Sequence, residues 1–411
     1  MMIALDGHAT DLHSRSRLAG YDPQTLQSAR ILVVGAGALG QNLLVNLALA
    51  GIGRLDIVDH DVFEDHNRTR SPCYPTPSEQ AWTGLGKAKA VAHKILSMMT
   101  AVEPVVCYAA ARIQDVGDEA IEQADVVCSA VDNAAARHYL ADRCSLHGKL
   151  MVEGGFEGSR LNLSVFVPHP EQPCYRCIVP SRTGVFSCDR YAMAAEAARI
   201  VPAIQTGAGA LGALQAEQVI EALHGRASLV GKRMFGDIRT LSFRVHTLSV
   251  DADCQGAHRA PARHVDVDLG PSATVAQLVE LVRSRFGNGQ LRFPEQFVGR
   301  IPCSICKTLT EAMSPESRWE LDPRCQPCGG PFPRSHTGAS PYAYPYLRMH
   351  HPEEWEPIAG MPLKALGLSH RSAIEMETMT TDTVTALRLA APSVSSLTEV
   401  RPAHDNEKEH Y

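Results

Sequence analysis

Residues 31–40 constrain the fold of this 411-residue chain more than any other segment. An aliphatic run, I-L-V-V, leads into a turn that contains Gly35, Gly37 and Gly40, and apolar residues at helical spacing follow. A strand, a Gly-x-Gly-x-x-Gly turn and a helix in this order present free backbone N–H groups that favour a phosphate. Asp59 ends the next predicted strand, 19 residues after Gly40, where its carboxylate can hold ribose hydroxyls. The segment therefore predicts a nucleotide site.

Polar residues further along indicate that the nucleotide is not a nicotinamide dinucleotide. Asn67 and Arg70 lie in N-R-T-R-S, and Lys87 lies in G-L-G-K-A-K-A. A nicotinamide site needs an apolar slot for its ring and has little use for extra cations. An arginine fork and a lysine instead neutralise the charge that develops when a phosphoryl group is attacked. These residues favour a triphosphate and argue against an NAD-dependent oxidoreductase.

The strand pattern predicts an α/β fold with its chemistry at one edge. Alternating strand and helix patterns from Ala29 to about Gly158 predict a doubly wound, mainly parallel, Rossmann-like sheet. Period-two alternation from Leu161 predicts an antiparallel extension. Asp132 follows the fourth predicted strand, and open α/β sheets place their chemistry at the carboxyl ends of strands. A carboxylate there suits Mg²⁺.

Taken together, these motifs resemble the ubiquitin-activating-enzyme-like superfamily, also called ThiF/MoeB/HesA. The matching segments are GAGALG (35–40), the Asp59 and Asp61 pair, NRTRS (67–71), GLGKAKA (84–90), VDNAAAR (131–137) and CYRC (174–177). The resemblance covers about residues 15–258, more than half of the chain.

The resemblance implies an adenylation reaction. Members of the superfamily bind ATP and Mg²⁺, and the C-terminal glycine carboxylate of a ubiquitin-like or sulfur-carrier protein attacks the α-phosphate. Pyrophosphate leaves and an acyl-adenylate remains. A carboxylate is already a nucleophile at neutral pH, so positioning and charge neutralisation carry the reaction.

Residue roles carry over by position. The resemblance assigns the nucleotide loop to Gly35, Gly37 and Gly40, the ribose to Asp59, the phosphates to Asn67, Arg70 and Lys87, and Mg²⁺ to Asp132. Superfamily members are usually homodimers and often use an N-terminal arginine from the partner subunit. Arg15 and Arg17 both lie in the right region, and the sequence does not choose between them or exclude a surface role for either.

Paired cysteines predict two structural zinc sites. Cys303, Cys306, Cys325 and Cys328 form C-x2-C-x18-C-x2-C, the spacing of a self-contained tetrahedral site. Cys174 and Cys177 need a second pair of ligands. The superfamily usually supplies another C-x-x-C, but this chain has Cys254 and His258 instead, and we expect these two to complete the second site.

One further cysteine is a candidate nucleophile. Many relatives carry a cysteine near Cys188 that forms a thioester or persulfide with the activated carrier. Arg190 would lower the pKa of this thiol and Asp189 would raise it, and an isolated cysteine is often simply buried. Cys73, beside the Arg70 segment, is a weaker competitor.

The chain divides into four predicted regions. These are an N-terminal arm (1–28), the adenylation domain (29–259), a smaller α+β zinc-containing domain (264–392) and a polar, disordered tail (393–411). The order of strands around a predicted helix at 274–285 suggests a β-grasp (ubiquitin-like) fold for the second domain, and an unrelated zinc-stapled module is the alternative. No terminal Gly-Gly is present, so the chain is not expected to be an activated carrier itself.

Composition narrows the choice of partners. The net charge of −6 argues against nucleic acids and anionic membranes as partners, and no apolar run reaches the length of a membrane span. The first 14 residues lack the apolar core of a signal peptide, which predicts a cytoplasmic protein. The additional domain favours conjugation, with a downstream conjugating enzyme, or partner recruitment over bare sulfur transfer. Two alternatives are adenylation of a peptide or small-molecule carboxylate and a non-catalytic zinc scaffold; the scaffold predicts lost catalytic positions, and none is missing.

Overall fold

The computed structural model contains two β-sheets with helices packed on them. It describes residues 11–73, 84–179, 203–252, 254, 256, 258, 260–303, 305–315, 324–330, 343–369, 372–378, 384–390 and 396–401. The predicted nucleophile Cys188 lies outside these ranges. Among the described residues, no helix combines the length and the apolar character needed to cross a membrane.

Within the described residues, the first sheet has nine strands. They are β1 (Arg30–Val34), β2 (Arg54–Val58), β3 (Val105–Ala109), β4 (Val126–Ser129), β5 (Leu150–Glu157), β6 (Arg160–Phe166), β7 (Lys232–Asp237), β8 (Ser242–Thr247) and β15 (Thr398–Glu399). Their spatial order is β15-β3-β2-β1-β4-β5-β6-β7-β8. Strands β3, β2, β1, β4 and β5 run parallel, whereas β5 to β8 pair antiparallel. The predicted doubly wound sheet with an antiparallel extension is confirmed.

Helices cover both faces of the parallel part. They are α1 (Ser14–Leu18), α2 (Pro23–Ser28), α3 (Ala38–Ala50), α4 (Lys87–Leu96), α5 (Ile113–Val116), α6 (Glu119–Gln123), α7 (Ala134–Leu146), α8 (Tyr175–Ile178) and α9 (Gln205–Leu223). After Arg30, strand β1 is aliphatic because Ile31 and Val33 enter one apolar core while Leu32 and Val34 enter the core on the opposite face.

Small residues bring α9 close to α3. A Cβ at Gly212 would lie 2.7 Å from the Cβ of Asn42, so only glycine fits at this crossing. Helix α9 covers the end of the sheet where the parallel strands give way to the antiparallel ones.

The second sheet forms the smaller domain. Its strands are β9 (Arg263–Val267), β10 (Gly289–Pro302), β11 (Leu309–Pro315), β12 (Ala343–Arg348), β13 (Ala373–Thr378) and β14 (Val384–Leu389), and its helices are α10 (Val275–Phe286) and α11 (Pro352–Trp355). Turns of 3₁₀ helix span Glu356–Ile358 and Leu363–Leu366. The order is β11-β10-β13-β14-β9, with β12 paired to β10 and β9 parallel to β14.

Helix α10 packs on this sheet. Thr274 and Gln277 form a reciprocal capping box at its start. Val275, Leu278 and Val282 of the helix share one core with apolar residues of β10, β13 and β14. A sheet packed on this helix is the feature on which the β-grasp hypothesis depends; kinship to ubiquitin itself stays a prediction.

The chain returns to the first sheet after β14. Strand β15 pairs antiparallel with β3, the Val400 N–H donates to the Val106 carbonyl oxygen at 2.8 Å, and Leu397 and Val400 are buried. The prediction of a disordered tail at 393–411 is therefore wrong for residues 396–401. The two apolar side chains, Leu397 and Val400, are too few to form a recognisable strand pattern in the sequence, but they suffice for this segment to pack along β3.

Candidate functional site

Three loops meet at one edge of the first sheet. The glycine turn follows β1, Asp59 follows β2, and the loop that contains Asp132 follows β4. Strand β1 lies between β2 and β4, so the carboxyl ends of all three strands are neighbours. The chain crosses to opposite sides of β1 here, which makes this edge the topological switch point where open α/β sheets bind ligands.

The glycines of the turn have two different roles. Gly35 has φ +98°, and a Cβ there would lie 2.6 Å from the Ala130 carbonyl oxygen. A Cβ at Gly40 would lie 1.8 Å from the Gly35 carbonyl oxygen. By contrast, no atom of the described residues, outside its chain neighbours, lies within 4 Å of a Cβ built at Gly37. Gly35 and Gly40 thus close the turn against β4 and α3, while Gly37 leaves backbone open to a ligand.

Asp59 anchors the turn. Its carboxylate accepts hydrogen bonds from the Ala36 N–H at 2.6 Å and from the Asp61 N–H at 2.7 Å. Burial raises the pKa of Asp59, and these two N–H donors partly oppose that rise. The side chain lies where the sequence places a ribose ligand and also fixes the backbone on both sides of the site.

Lys87 joins the same patch. It is the first residue of α4, its Nζ lies 3.0 Å from an Asp61 carboxylate oxygen, and its backbone N–H donates to the Asp61 carbonyl oxygen at 2.8 Å. An ammonium group that is mostly covered therefore lies beside the glycine turn. Its partner Asp61 is half exposed, so a phosphate can replace this carboxylate as the partner of the Lys87 ammonium group.

The segment N-R-T-R-S forms a 3₁₀ helix, Asp65–Arg70. Asn67 is buried and its side-chain oxygen accepts the Glu64 N–H at 2.9 Å, which closes a capping box. Arg70 donates from Nη1 to the His66 carbonyl oxygen at 2.8 Å. The buried Asn67 side chain therefore fixes the shape of the segment, and the half-buried Arg70 places a positive charge at its end.

Asp132 and Asn133 link β4 to α7. Asn133 caps the helix by accepting the Ala136 N–H at 2.8 Å, and Asp132 is exposed beside it. An exposed carboxylate on a loop that the cap fixes can bind a hydrated cation.

Sequence reasoning overlooked Arg137 as a site residue, although the matching motif ends on it. Its guanidinium donates to the Val131 carbonyl oxygen at 2.7 Å and faces the buried Glu153 carboxylate at 3.5 Å. Burial opposes its charge, but Glu153, Tyr175 and Asp132 together outweigh this effect and raise the pKa of Arg137. A cation in the first turn of the helix after Asp132 is the signal that could have found it.

Cys174, Cys177, Cys254 and His258 converge as predicted. The Cys174 Sγ lies 3.9 Å from the Cys177 Sγ, 3.6 Å from the Cys254 Sγ and 3.7 Å from the His258 Nε2. Tetrahedral zinc with Zn–S of about 2.3 Å places its ligands roughly 3.8 Å apart. The other ring nitrogen of His258 lies 3.0 Å from the Gln172 carbonyl oxygen, a contact that orients Nε2 toward the thiols. The four ligand atoms fit a tetrahedral metal ion.

The second cysteine cluster also brings four metal-binding atoms together. Cys303 and Cys328 lie 3.5 Å apart at their sulfur atoms, as do Cys306 and Cys325. Each C-x-x-C pair sits in a tight turn, in which the Lys307 N–H donates to the Cys303 carbonyl and the Gly329 N–H to the Cys325 carbonyl. The four thiols lie within 4.8 Å of one another, which fits a second tetrahedral site.

The structure also defines the environments of Cys73 and Arg17. Cys73 is buried, and burial raises the pKa of its thiol to about 12, which argues against a nucleophilic role. Arg17 in α1 forms a two-oxygen ion pair with Asp11 at 2.7 Å.

Comparison with known proteins agrees with this geometry. Residues 13–256 match the ThiF family model, and the chain belongs to this family. The chain is 34% identical over 207 residues to the adenylyltransferase and sulfurtransferase MOCS3 of Arabidopsis thaliana, over 50% of this chain and 41% of that protein. It is 31% identical over 271 residues to the SAMP-activating enzyme E1 of Haloferax volcanii, over 62% of this chain and 91% of that protein.

The fold has solved counterparts. A crystal structure of E. coli MccB with MccA-N7isoASN superimposes with a TM-score of 0.51 at 18% identity, over 62% of this chain and 76% of that chain. The chain spans less than half the length of the Arabidopsis and maize MOCS3 proteins that it matches.

Proposed function

We propose that this chain is an ATP-dependent adenylyltransferase that activates the C-terminal carboxylate of a ubiquitin-like or sulfur-carrier protein. The observation that carries the proposal is the meeting of the open Gly37 backbone, the Lys87–Asp61 pair and Asp132 at one edge of the sheet. The names of the Arabidopsis and Haloferax relatives, an adenylyltransferase and a SAMP-activating enzyme E1, support it.

In this proposal, different residues at this edge bind the phosphates, the ribose and the metal ion. The N–H groups around Gly37 at the start of α3 bind phosphate oxygens, and Asp59 accepts hydrogen bonds from the ribose. Lys87 and Arg70 neutralise charge on the triphosphate as the carrier carboxylate attacks the α-phosphate and pyrophosphate leaves. Asp132 would hold Mg²⁺, which supplies further charge neutralisation when bound. No general base is needed because the attacking carboxylate is already ionised.

Cys188 is proposed for a second step. Its thiolate would attack the acyl-adenylate, so that a thioester forms and AMP leaves, and a downstream conjugating enzyme could then receive the carrier. A homodimer would allow Arg15 or Arg17 to reach the ATP of the partner subunit. The motif set supports both proposals through the resemblance alone.

Two structural zinc ions are proposed at the two clusters. The ligand spacings and the orienting contact to His258 support them. Cysteines must stay reduced to bind zinc, and a reducing compartment keeps them so. This requirement supports a cytoplasmic location.

ATP–pyrophosphate exchange tests the proposed function. The purified chain is assayed alone and with each ubiquitin-like protein encoded near its gene. Exchange that depends on one such protein is the expected result and identifies the substrate. Exchange supported only by a peptide or a small carboxylate would replace the carrier-protein substrate by the alternative class. Absence of exchange with every substrate, in protein that binds ATP, would overturn the adenylation itself.

A further inference from the structure

Two segments of the proposed ATP site are far apart in sequence and must keep a fixed distance. The glycine turn supplies backbone N–H groups, and the 3₁₀ helix Asp65–Arg70 supplies a cation. A single side chain, Gln41 in the first turn of α3, bonds to both segments. Side chains of helical residues lean toward the helix N-terminus, which brings the Gln41 amide over the glycine turn.

Gln41 is fully buried, and both ends of its amide are engaged. Its Nε2 donates to the Ala36 carbonyl oxygen at 2.8 Å and lies 3.4 Å from the Ser71 hydroxyl. Its Oε1 accepts the Cys73 N–H at 3.1 Å. Ser71 and Cys73 directly follow the 3₁₀ helix, so the amide connects the end of that helix to the glycine turn.

The Ala36 peptide unit is held from both sides. Its N–H donates to Asp59 and its carbonyl accepts from Gln41. Removal of the Gln41 amide would leave the Ala36 carbonyl and the Cys73 N–H without this partner, in a region that water does not reach. The two segments would then be free to move apart.

We propose that Gln41 is a positioning residue that sets the distance between the glycine turn and Arg70. The inference rests on the proposed adenylation function. The Gln41 amide is engaged by the Ala36 carbonyl, the Ser71 hydroxyl and the Cys73 N–H, so it is not available to bind a phosphate. It acts through Arg70, whose guanidinium must lie where charge develops during attack on the α-phosphate.

The test compares Gln41→Met with a control in the same helix. Methionine keeps the length of glutamine but has no amide. Leu47→Ala removes a fully buried side chain two turns further along α3 and lowers the melting temperature without touching the site. Both proteins are assayed for pyrophosphate exchange well below their melting temperatures. We expect Gln41→Met to lose on the order of tenfold to a hundredfold in kcat, with a smaller change in KM for ATP. Leu47→Ala should stay within about twofold of the unmodified chain.

Hydrogen exchange supplies a readout that does not depend on activity. Peptides that cover residues 65–73 should exchange faster in Gln41→Met and not in Leu47→Ala, because the Cys73 amide has lost its acceptor. If Gln41→Met does not fold, Gln41→Glu retains the volume and the acceptor for Cys73, and its ionised form cannot donate to the Ala36 carbonyl. It should show the same fall in kcat.

The outcomes separate this inference from the proposed function. Failure of the unmodified chain to exchange would refute the adenylation. Exchange by the unmodified chain with an equal kcat in the Gln41 variant would refute the positioning role alone. Equal losses in the Gln41 and Leu47 variants would also refute it, since they would reduce the effect of Gln41 to general stability.

Discussion

A buried ion pair of the larger domain holds the backbone of the smaller domain, and its loss should separate the unfolding of the two sheets. Asp118, fully buried, accepts hydrogen bonds from the Arg143 guanidinium and from the Ala373 N–H, the latter at 2.7 Å. Arg143 in turn donates to the Ala373 carbonyl oxygen at 2.7 Å. The first residue of β13 is thus held through both its backbone groups. Burial would raise the pKa of Asp118, but Arg143 and His147 outweigh it and hold this pKa well below its usual range.

Asp118→Ala leaves the Arg143 charge buried without its carboxylate. Breaking a buried pair in this way costs about 3–5 kcal/mol. For a domain the size of the smaller one, this corresponds to a fall of roughly 10–20 °C in its melting temperature. Differential scanning calorimetry suits the measurement, because two domains that lose their coupling give two transitions. We expect one transition in the unmodified chain and an earlier, separate transition of the smaller domain in the variant.

Two controls accompany this prediction. Asp11→Ala breaks the exposed pair with Arg17 and should leave the calorimetric trace unchanged, since exposed pairs contribute little. Combining Asp118→Ala with Arg143→Met should recover part of the loss, because the Arg143 charge is then no longer buried without its carboxylate. A melting temperature of Asp118→Ala within about 2 °C of the unmodified chain would refute the reasoning.

Three further predictions concern pH, the glycine turn and the metal sites. Burial disfavours the charged ring of His147, but two carboxylates at 3.2 and 3.3 Å outweigh it and raise its pKa. The charged His147 ring therefore stabilises the fold fully below about pH 6.5, and this stabilisation is lost as the pH rises through the pKa of the folded state. The difference in melting temperature between the unmodified chain and His147→Gln should shrink from pH 6 to pH 9. A difference that stays constant over this range would contradict the prediction. Gly40→Ala should prevent folding by circular dichroism, whereas Gly37→Ala should fold and weaken ATP binding by calorimetry; equal behaviour of the two would refute their separate roles. Cys306→Ser should lower the zinc content by one ion per chain in elemental analysis while pyrophosphate exchange continues, and an unchanged zinc content would remove the second cluster as a zinc site.

Short-range patterns predicted the parts of the molecule that depend on neighbours in sequence. The aliphatic run of β1, the glycine turn and the C-x-x-C pairs each specify a local backbone shape. Adjacent strand ends then bring Asp59 and Asp132 to one edge, because the order of a doubly wound sheet is itself constrained.

Contacts between distant segments were not predictable in this way. Arg143 and Ala373 are separated by 230 residues, and neither lies in a pattern that indicates its partner. Gln41 resembles an ordinary polar helix residue until the fold places its amide between two loops. The pairing of β15 with β3 likewise depends on where the smaller domain releases the chain. These features arise from packing, which a single sequence does not encode locally.

The proposed nucleophile and the proposed carrier do not follow from the fold. Cys188 stays a prediction that a reducible carrier adduct would test: adduct formation by the unmodified chain and not by Cys188→Ala is expected. Undiminished adduct in the variant would remove Cys188 from the mechanism.

Pyrophosphate exchange by the unmodified chain, by Asp132→Ala and by Asp268→Ala tests the central claim most directly. Asp268→Ala removes an exposed carboxylate of the smaller domain and serves as the matched control. The account predicts carrier-dependent exchange in the unmodified chain and in Asp268→Ala, and none in Asp132→Ala, with the same fold in all three. Exchange that persists in Asp132→Ala would contradict the assignment of the metal and nucleotide site to this edge of the sheet.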